Sequence, residues 1–240
     1  MKLADAIAQQ IIEHAGQEYP RECCGLLLVI KGKQRYFPCK NIAVGTDQFT
    51  IDPEDYAAAE EAGDIVAVIH SHPDGSPQPS QADRVSCEAS GFPWFIYAHP
   101  AGTWAELFPE GYKAPYVGRQ WSHGVLDCYA IIRDWYANER GILLPDFERH
   151  DEWWLRGENL YEENFEKCGF VPISCDELRT GDLVFMQIVS PVSNHAAIYL
   201  GDGIILHHIQ NRLSTRDVYG GYWLKNTTRY LRHEKHSTAG

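Results

Sequence analysis

Two sets of residues in this chain have the types and spacing that chemistry needs. The first is His70-Ser71-His72-Pro73, followed by Ser80 and Asp83. Residues 65–69 are β-branched and apolar and read as a buried strand. Side chains alternate faces along a strand, so His70 and His72 project the same way from its end. Residues 74–79 hold two prolines and a glycine and form a loop. Ser80 then suits a helix N-cap, with Asp83 three residues on in the capping-box position. A carboxylate is thereby returned to two imidazoles. Two His and one Asp leave a fourth position open, the arrangement of catalytic rather than structural zinc. The second set is Cys128 with His195 and the pair His207-His208. Residues 124–127 lead into a helical pattern over 129–140 closed by Gly141, so Cys128 stands at a helix N-terminus, which favours a thiolate. His195 opens one arm of a hairpin and His207-His208 lie on the other. A thiol, a base and an orienting group make a cysteine-nucleophile constellation.

Which histidine faces His195 depends on the hairpin's turn. If Asp202-Gly203 is a two-residue type I′ turn, Gly201 pairs with Ile204, Ala197 opposes His208, and His208 shares the face of His195. If Gly201-Asp202-Gly203 is a three-residue loop, Leu200 pairs with Ile204 and Ala197 opposes His207 instead. A one-residue slip exchanges the two. Hairpin geometry alone leaves both open.

The elements that must position these groups fall into two halves. Residues 3–15 carry apolar side chains at helical spacing, and Gly16 is expected to stop that helix. Strands follow over 23–30 and 34–41, and Asp52-Pro53 supplies an N-cap and a first helical residue. Residues 94–98 and 103–108 read as a hairpin. Cys23 and Cys24 are adjacent in a strand and point to opposite faces, so they cannot chelate one ion together. Past the Pro/Gly-rich residues 109–115 the texture changes, with more aromatics and histidines. The domains are therefore set at 1–110, an α/β layout, and 111–240, read as α+β. His123 reads as a solvated loop residue. Asp151-Glu152-Trp153-Trp154 reads as the cap of a core, a substrate lip or a partner surface.

Composition narrows the function further. An apolar share of 44% with 7 Trp suffices for packed cores. A net charge of -12 excludes a nucleic-acid surface, which needs a basic stripe. No membrane span is visible, because the longest strongly apolar run, residues 26–30, is far too short. Residues 1–10 lack the apolar core of a signal peptide, so a cytoplasmic site of synthesis is expected. Seven cysteines without export signals are expected to be free thiols.

The first motif set, H-x-H, seven residues, S-x-x-D, resembles that of the JAMM (MPN+) metalloproteases. Glu22, in Pro20-Arg21-Glu22-Cys23-Cys24-Gly25, sits where that family has its glutamate. The resemblance implies Zn²⁺ bound by His70, His72 and Asp83, with Glu22 as general base and Ser80 helping to stabilise the tetrahedral intermediate. In the second half, Tyr116, Asp127-Cys128, Gly181-Asp182-Leu183 and the run from His195 to Gly203 resemble the papain-like NlpC/P60 cysteine peptidases. Tyr116 lies twelve residues before Cys128, as that family's substrate-side tyrosine does, and His207 lies twelve after His195. This spacing selects His207 over His208. The resemblance implies cleavage of peptidoglycan stem peptides. Tyr129-Ala130 after the nucleophile departs from the usual Ser-Gly, which alters the pocket. The two domains in this order resemble the tail-tip assembly proteins of lambda-like siphophages. That implies a peptide hydrolase acting in tail-tip assembly, in stem-peptide cleavage or in both, with tail-tip proteins as partners. Its implied location is the host bacterial cytoplasm during assembly, and the virion tail tip. A structural assembly factor with dormant sites is the alternative.

Overall fold

The computed structural model describes residues 3–237, which fall into two compact units, one up to Lys113 and one from Ala114 onward. The division falls three residues beyond the one read from the linker.

The first unit is one sheet between two helical layers. Helix α1 (Asp5–Glu18) is followed by strands β1 (Cys24–Ile30) and β2 (Lys33–Cys39), helix α2 (Pro53–Ala62), strand β3 (Asp64–Pro73), helix α3 (Gln81–Ser90), and strands β4 (Trp94–His99) and β5 (Thr103–Leu107). The sheet order is β2-β1-β3-β4-β5, with β3 and β4 parallel and the other pairs antiparallel. Gly16 does not stop α1, which runs on to Glu18 and ends ahead of Pro20. One glycine costs a helix only about 1 kcal/mol, whereas the residue before a proline is steered out of the helical region. Ile7, Ile11 and Ala15 bury α1 against Leu27, Ala67 and Ile69 on one face of the sheet. Ala59 of α2 and Cys87 of α3 pack with Leu26, Leu28, Val68 and Trp94 on the other. Cys23 and Cys24 accordingly belong to opposite layers.

The second unit carries helices α4 (Cys128–Trp135) and α5 (Leu160–Asn164), then strands β6 (Phe170–Ile173), β7 (Leu183–Met186), β8 (His195–Gly201), β9 (Ile204–His207) and β10 (Thr215–Val218), helix α6 (Gly221–Lys225) and strand β11 (Thr227–His233). These strands form an antiparallel sheet in the order β10-β9-β8-β7-β11-β6. Helix α4 lays Ile131, Ile132 and Trp135 on Ala196, Ile198 and Leu206. It continues as a π-helical turn, Tyr136–Arg140, and ends at Gly141, whose φ of 65° is the left-handed cap that glycine favours.

The β8–β9 hairpin combines both halves of the two alternatives. Asp202 and Gly203 have φ of 51° and 69° and Gly201 pairs with Ile204, as a two-residue turn requires. Yet Ala197 opposes His207, because a bulge between Tyr199 and Gly201 removes Leu200 from the ladder. The displaced Leu200 carbonyl accepts instead from the Thr180 hydroxyl at 3.1 Å. Gly201 takes a φ of 91°, and a Cβ there would sit 2.8 Å from that same hydroxyl oxygen. The bulge has reversed the consequence of the turn.

Candidate active sites

In the first unit the strand carrying His70 and His72 is longer than its apolar run. Parallel pairing of residues 70–73 with Ile96–His99 of β4 keeps both histidines extended and on one face. The crossover from β3 to β4 lays α3 over that face. Ser80 caps α3 as the sequence indicates: its Oγ accepts from the Asp83 amide at 3.1 Å, and its own amide donates to Asp83 Oδ2 at 2.7 Å. The capping box thereby fixes the carboxylate that meets the imidazoles. Nε2 of His70 lies 3.2 Å from Asp83 Oδ1, Nε2 of His72 lies 3.4 Å from Oδ2, and the two Nε2 atoms are 3.0 Å apart. Among the described residues this is the group whose donor atoms converge within 4.8 Å, as an ion would require.

The surroundings suit a cation. Nδ1 of His72 donates to the Ser76 carbonyl at 2.7 Å, which leaves a lone pair on Nε2 in the neutral ring. His70 is fully buried with its Nδ1 unpartnered, and its ring is held by Phe49, stacked at 4.7 Å, and the edge of Trp94 at 5.4 Å. Burial works against charge on Asp83, but hydrogen bonds from His70, His72 and Ser80 hold its carboxyl well below the usual carboxylate range. Glu22, just ahead of β1, is only 6% exposed. Burial pushes its carboxyl up to about 8; His72 opposes the rise, and Asp83 and Asp47 add to it. A carboxyl that titrates near neutrality beside the donor set has the chemistry to carry a proton. It gets there because Cys24 of β1 pairs with His70 of β3.

In the second unit Asp127 caps α4. Its Oδ1 accepts from the amides of Tyr129 and Ala130 at 3.0 and 2.8 Å, and its Oδ2 accepts from Gly124 N and Arg149 Nε at 3.0 and 2.9 Å. Cys128 is thus pinned in the first turn. It and His195 line one cleft of about 480 Å³. His195 Nε2 meets His207 Nδ1 at 2.9 Å, and His207 Nε2 meets Asp217 Oδ2 at 3.1 Å. His195 therefore keeps Nδ1 as its other titratable nitrogen. Burial first, then the neighbouring His207 and His208, holds His195 well below its ordinary value, so its ring is neutral at pH 7. Burial and the adjacent Asp127 push the Cys128 thiol up to about 11. The helix N-terminus does not offset that burial, so the resting pair is neutral rather than the thiolate the sequence suggests.

The structure places the remaining residues unevenly. His208 is buried with Nε2 donating to the Arg212 carbonyl at 3.0 Å, and it supports Trp121 rather than His195. His123 is a cleft residue and not a solvated one, with Nε2 donating to the Arg149 carbonyl at 2.7 Å. Trp153 belongs to the core and also lines the cleft with Glu152 and Trp154, so that segment is both cap and lip. Tyr116 is not brought to the thiol. Its hydroxyl donates to Glu139 at 3.0 Å, eleven residues past Cys128 and so about 16 Å along the helix. Sequence reasoning missed Asp217, which reaches His207 because β10 pairs with β9, and Tyr161, whose hydroxyl lies 3.0 Å from Cys128 Sγ. Neither carries a local signal.

Residues 4–108 match the family model described as prokaryotic homologs of the JAB domain, and residues 114–232 match that of the NlpC/P60 family. The first unit thus has the JAB/MPN-like fold and the second the NlpC/P60 fold. The chain is 39% identical over 227 residues to the tail tip assembly protein K of Escherichia phage N15, covering 93% of each. It is 41% identical over 183 residues to the tail tip assembly protein K of Escherichia phage lambda, covering 76% of this chain and 89% of that one. A shorter stretch of 102 residues is 32% identical to the desampylase of Haloferax volcanii, covering 39% of this chain and 71% of that protein.

Proposed function

Because the chain belongs to the family of the phage tail tip assembly proteins K, we propose that it acts in tail-tip assembly as a peptide hydrolase with two independent sites. In the first unit His70, His72 and Asp83 would hold a zinc ion, which supplies Lewis acidity and makes water acidic enough to ionise near neutral pH. Glu22 would take a proton from the attacking water and return it to the leaving amine, and a cation held by the three ligands would offset the burial that raises its carboxyl to about 8. The Ser80 oxygen is engaged by the Asp83 amide, which leaves its O–H to donate to the carbonyl oxygen under attack.

In the second unit the proton moves during attack, because thiol and imidazole are both neutral at rest. Nδ1 of His195 takes the Cys128 proton as sulfur bonds to the amide carbon and the carbonyl electron pair moves to oxygen. The resulting cation is steadied by His207, itself held by Asp217. Collapse breaks the C–N bond, the amine leaves with the proton from His195, and water then frees the acyl group from Cys128. Stem peptides of peptidoglycan are the substrate class proposed for this unit. Tail proteins are the partners, and the host cytoplasm during assembly or the virion tail tip is the place of action. Among the described residues no helix is long and apolar enough to cross a membrane.

The observation that carries this reading is the hydrogen-bonded series from His195, in the cleft that Cys128 also lines, through His207 to Asp217, which a purely structural assembly factor does not need. The test is mass spectrometry of muropeptides and of tail proteins incubated with the zinc-loaded chain. Products that vanish in Cys128→Ala or in Glu22→Gln assign each cut to its unit. If the wild-type chain leaves every fragment intact, the scaffold with dormant sites is the correct reading.

A further inference from the structure

We infer that Tyr161 is the catalytic phenol of the thiol site: its hydroxyl donates to the Cys128 sulfur as charge develops there and passes to the carbonyl oxygen once sulfur is bonded to carbon. The second half of this rests on the peptidase reading above. The first half does not.

Its geometry is specific. Tyr161 Oη lies 3.0 Å from Cys128 Sγ, both side chains are buried, and both line the same cleft. The ring cannot drift, because Phe185 of β7 tilts against it at 4.8 Å and the edge of Trp153 meets it at 5.8 Å. It projects from α5, an element with no part in presenting Cys128, His195 or His207. The substrate-side tyrosine expected from sequence, Tyr116, bonds Glu139. Tyr161 therefore supplies a donor where Tyr116 does not reach.

A hydroxyl facing a neutral thiol can donate or accept, but facing a thiolate it can only donate. Hydrogen bonds to an ionised acceptor are about twice as strong as neutral ones, so the contact tightens as the proton leaves. After sulfur attacks, the carbonyl oxygen hangs from the carbon bonded to sulfur. A donor 3.0 Å from Sγ that lines the same cleft can then turn to that oxygen. Burial, and the nearby thiol and Asp127 carboxylate, hold the Tyr161 hydroxyl well above 10, so it remains a donor throughout the working range.

The other groups facing the sulfur pull in different directions. Asp127 beside it opposes ionisation, Arg149 paired to Asp127 favours it, and the Ala196 amide of β8 also favours it. From β8 and β9, His195 and His207 are neutral and add no charge at pH 7. Tyr161 is an uncharged side-chain donor to the sulfur, and a phenylalanine deletes it without removing a charge.

The test reads the thiol directly. Alkylation by iodoacetamide, with the adduct located at Cys128 by mass spectrometry, is followed against pH in the full chain, in Tyr161→Phe and in a chain with 3-fluorotyrosine at position 161. The phenylalanine variant is expected to raise the alkylation midpoint by about one pH unit and to slow alkylation below it about tenfold. Fluorotyrosine, a stronger donor of nearly the same shape, is expected to lower the midpoint, and it decides the matter if the phenylalanine variant misfolds. An unshifted midpoint in the folded variants overturns the role of Tyr161, even if muropeptides are cleaved. Shifted midpoints without cleavage by the wild-type chain support the role at sulfur and overturn the peptidase reading.

Discussion

Glu22→Gln is the perturbation whose size the structure sets most directly. The carboxyl is 6% exposed and its pKa stands at about 8 against an ordinary 4.5. A folded-state value raised this way gives stability that is complete below the unfolded pKa and is lost as pH rises through the folded one. Between pH 5 and pH 7 the wild-type first unit, with chelator present, should therefore lose about 2.5 kcal/mol that an uncharged glutamine does not lose. Above about pH 8 the difference should level off. Urea unfolding of the two full chains at pH 5, 6, 7 and 8 measures it, because every other titrating group is common to both and cancels. Adding zinc should shrink the difference, since a dication beside Glu22 makes its charge welcome. A gap between variant and wild type that stays constant across this range would show that Glu22 is not a buried neutral carboxyl, and its role as proton carrier would fall with it.

One zinc per chain is expected by elemental analysis, absent when His70 and His72 are both alanine; chelation should leave any cleavage that depends on Cys128 untouched. His207→Ala should cut the thiol-dependent rate by about 10²-fold or more through loss of the orienting partner. His208→Ala should instead cost about 1–3 kcal/mol of unfolding free energy, from the buried group removed, with kcat changed only slightly. Because His195 is held well below 6.5, it stays the free base in mild acid, and the acid limb of a thiol-dependent pH–rate profile should lie below pH 6.5. A limb at pH 7 or above would contradict that.

Spacing within single elements was legible in the sequence. His70 and His72 share a face because β-strands have period two, Ser80 and Asp83 close a capping box because helix first turns have unpaired amides, and Asp127 fixes Cys128 at a helix start for the same reason. Glu22 and Asp83, Cys128 and His195 were all picked out by such local rules joined to two family resemblances. What the chain does between elements needed the tertiary structure. His207 stands by His195 although the turn is the two-residue form that by itself would have chosen His208; a bulge held by Thr180, twenty residues away, made the exchange. Asp217 and Tyr161 were invisible, because each reaches the site through pairing or packing that leaves no periodic mark. Tyr116 keeps the spacing that the resemblance names, while its hydroxyl donates to Glu139, a contact the sequence did not mark. The thiol's charge also went against the local rule. Helix ends act over one turn, whereas the dielectric around Cys128 is set by every element packed over it, and only the folded chain determines that.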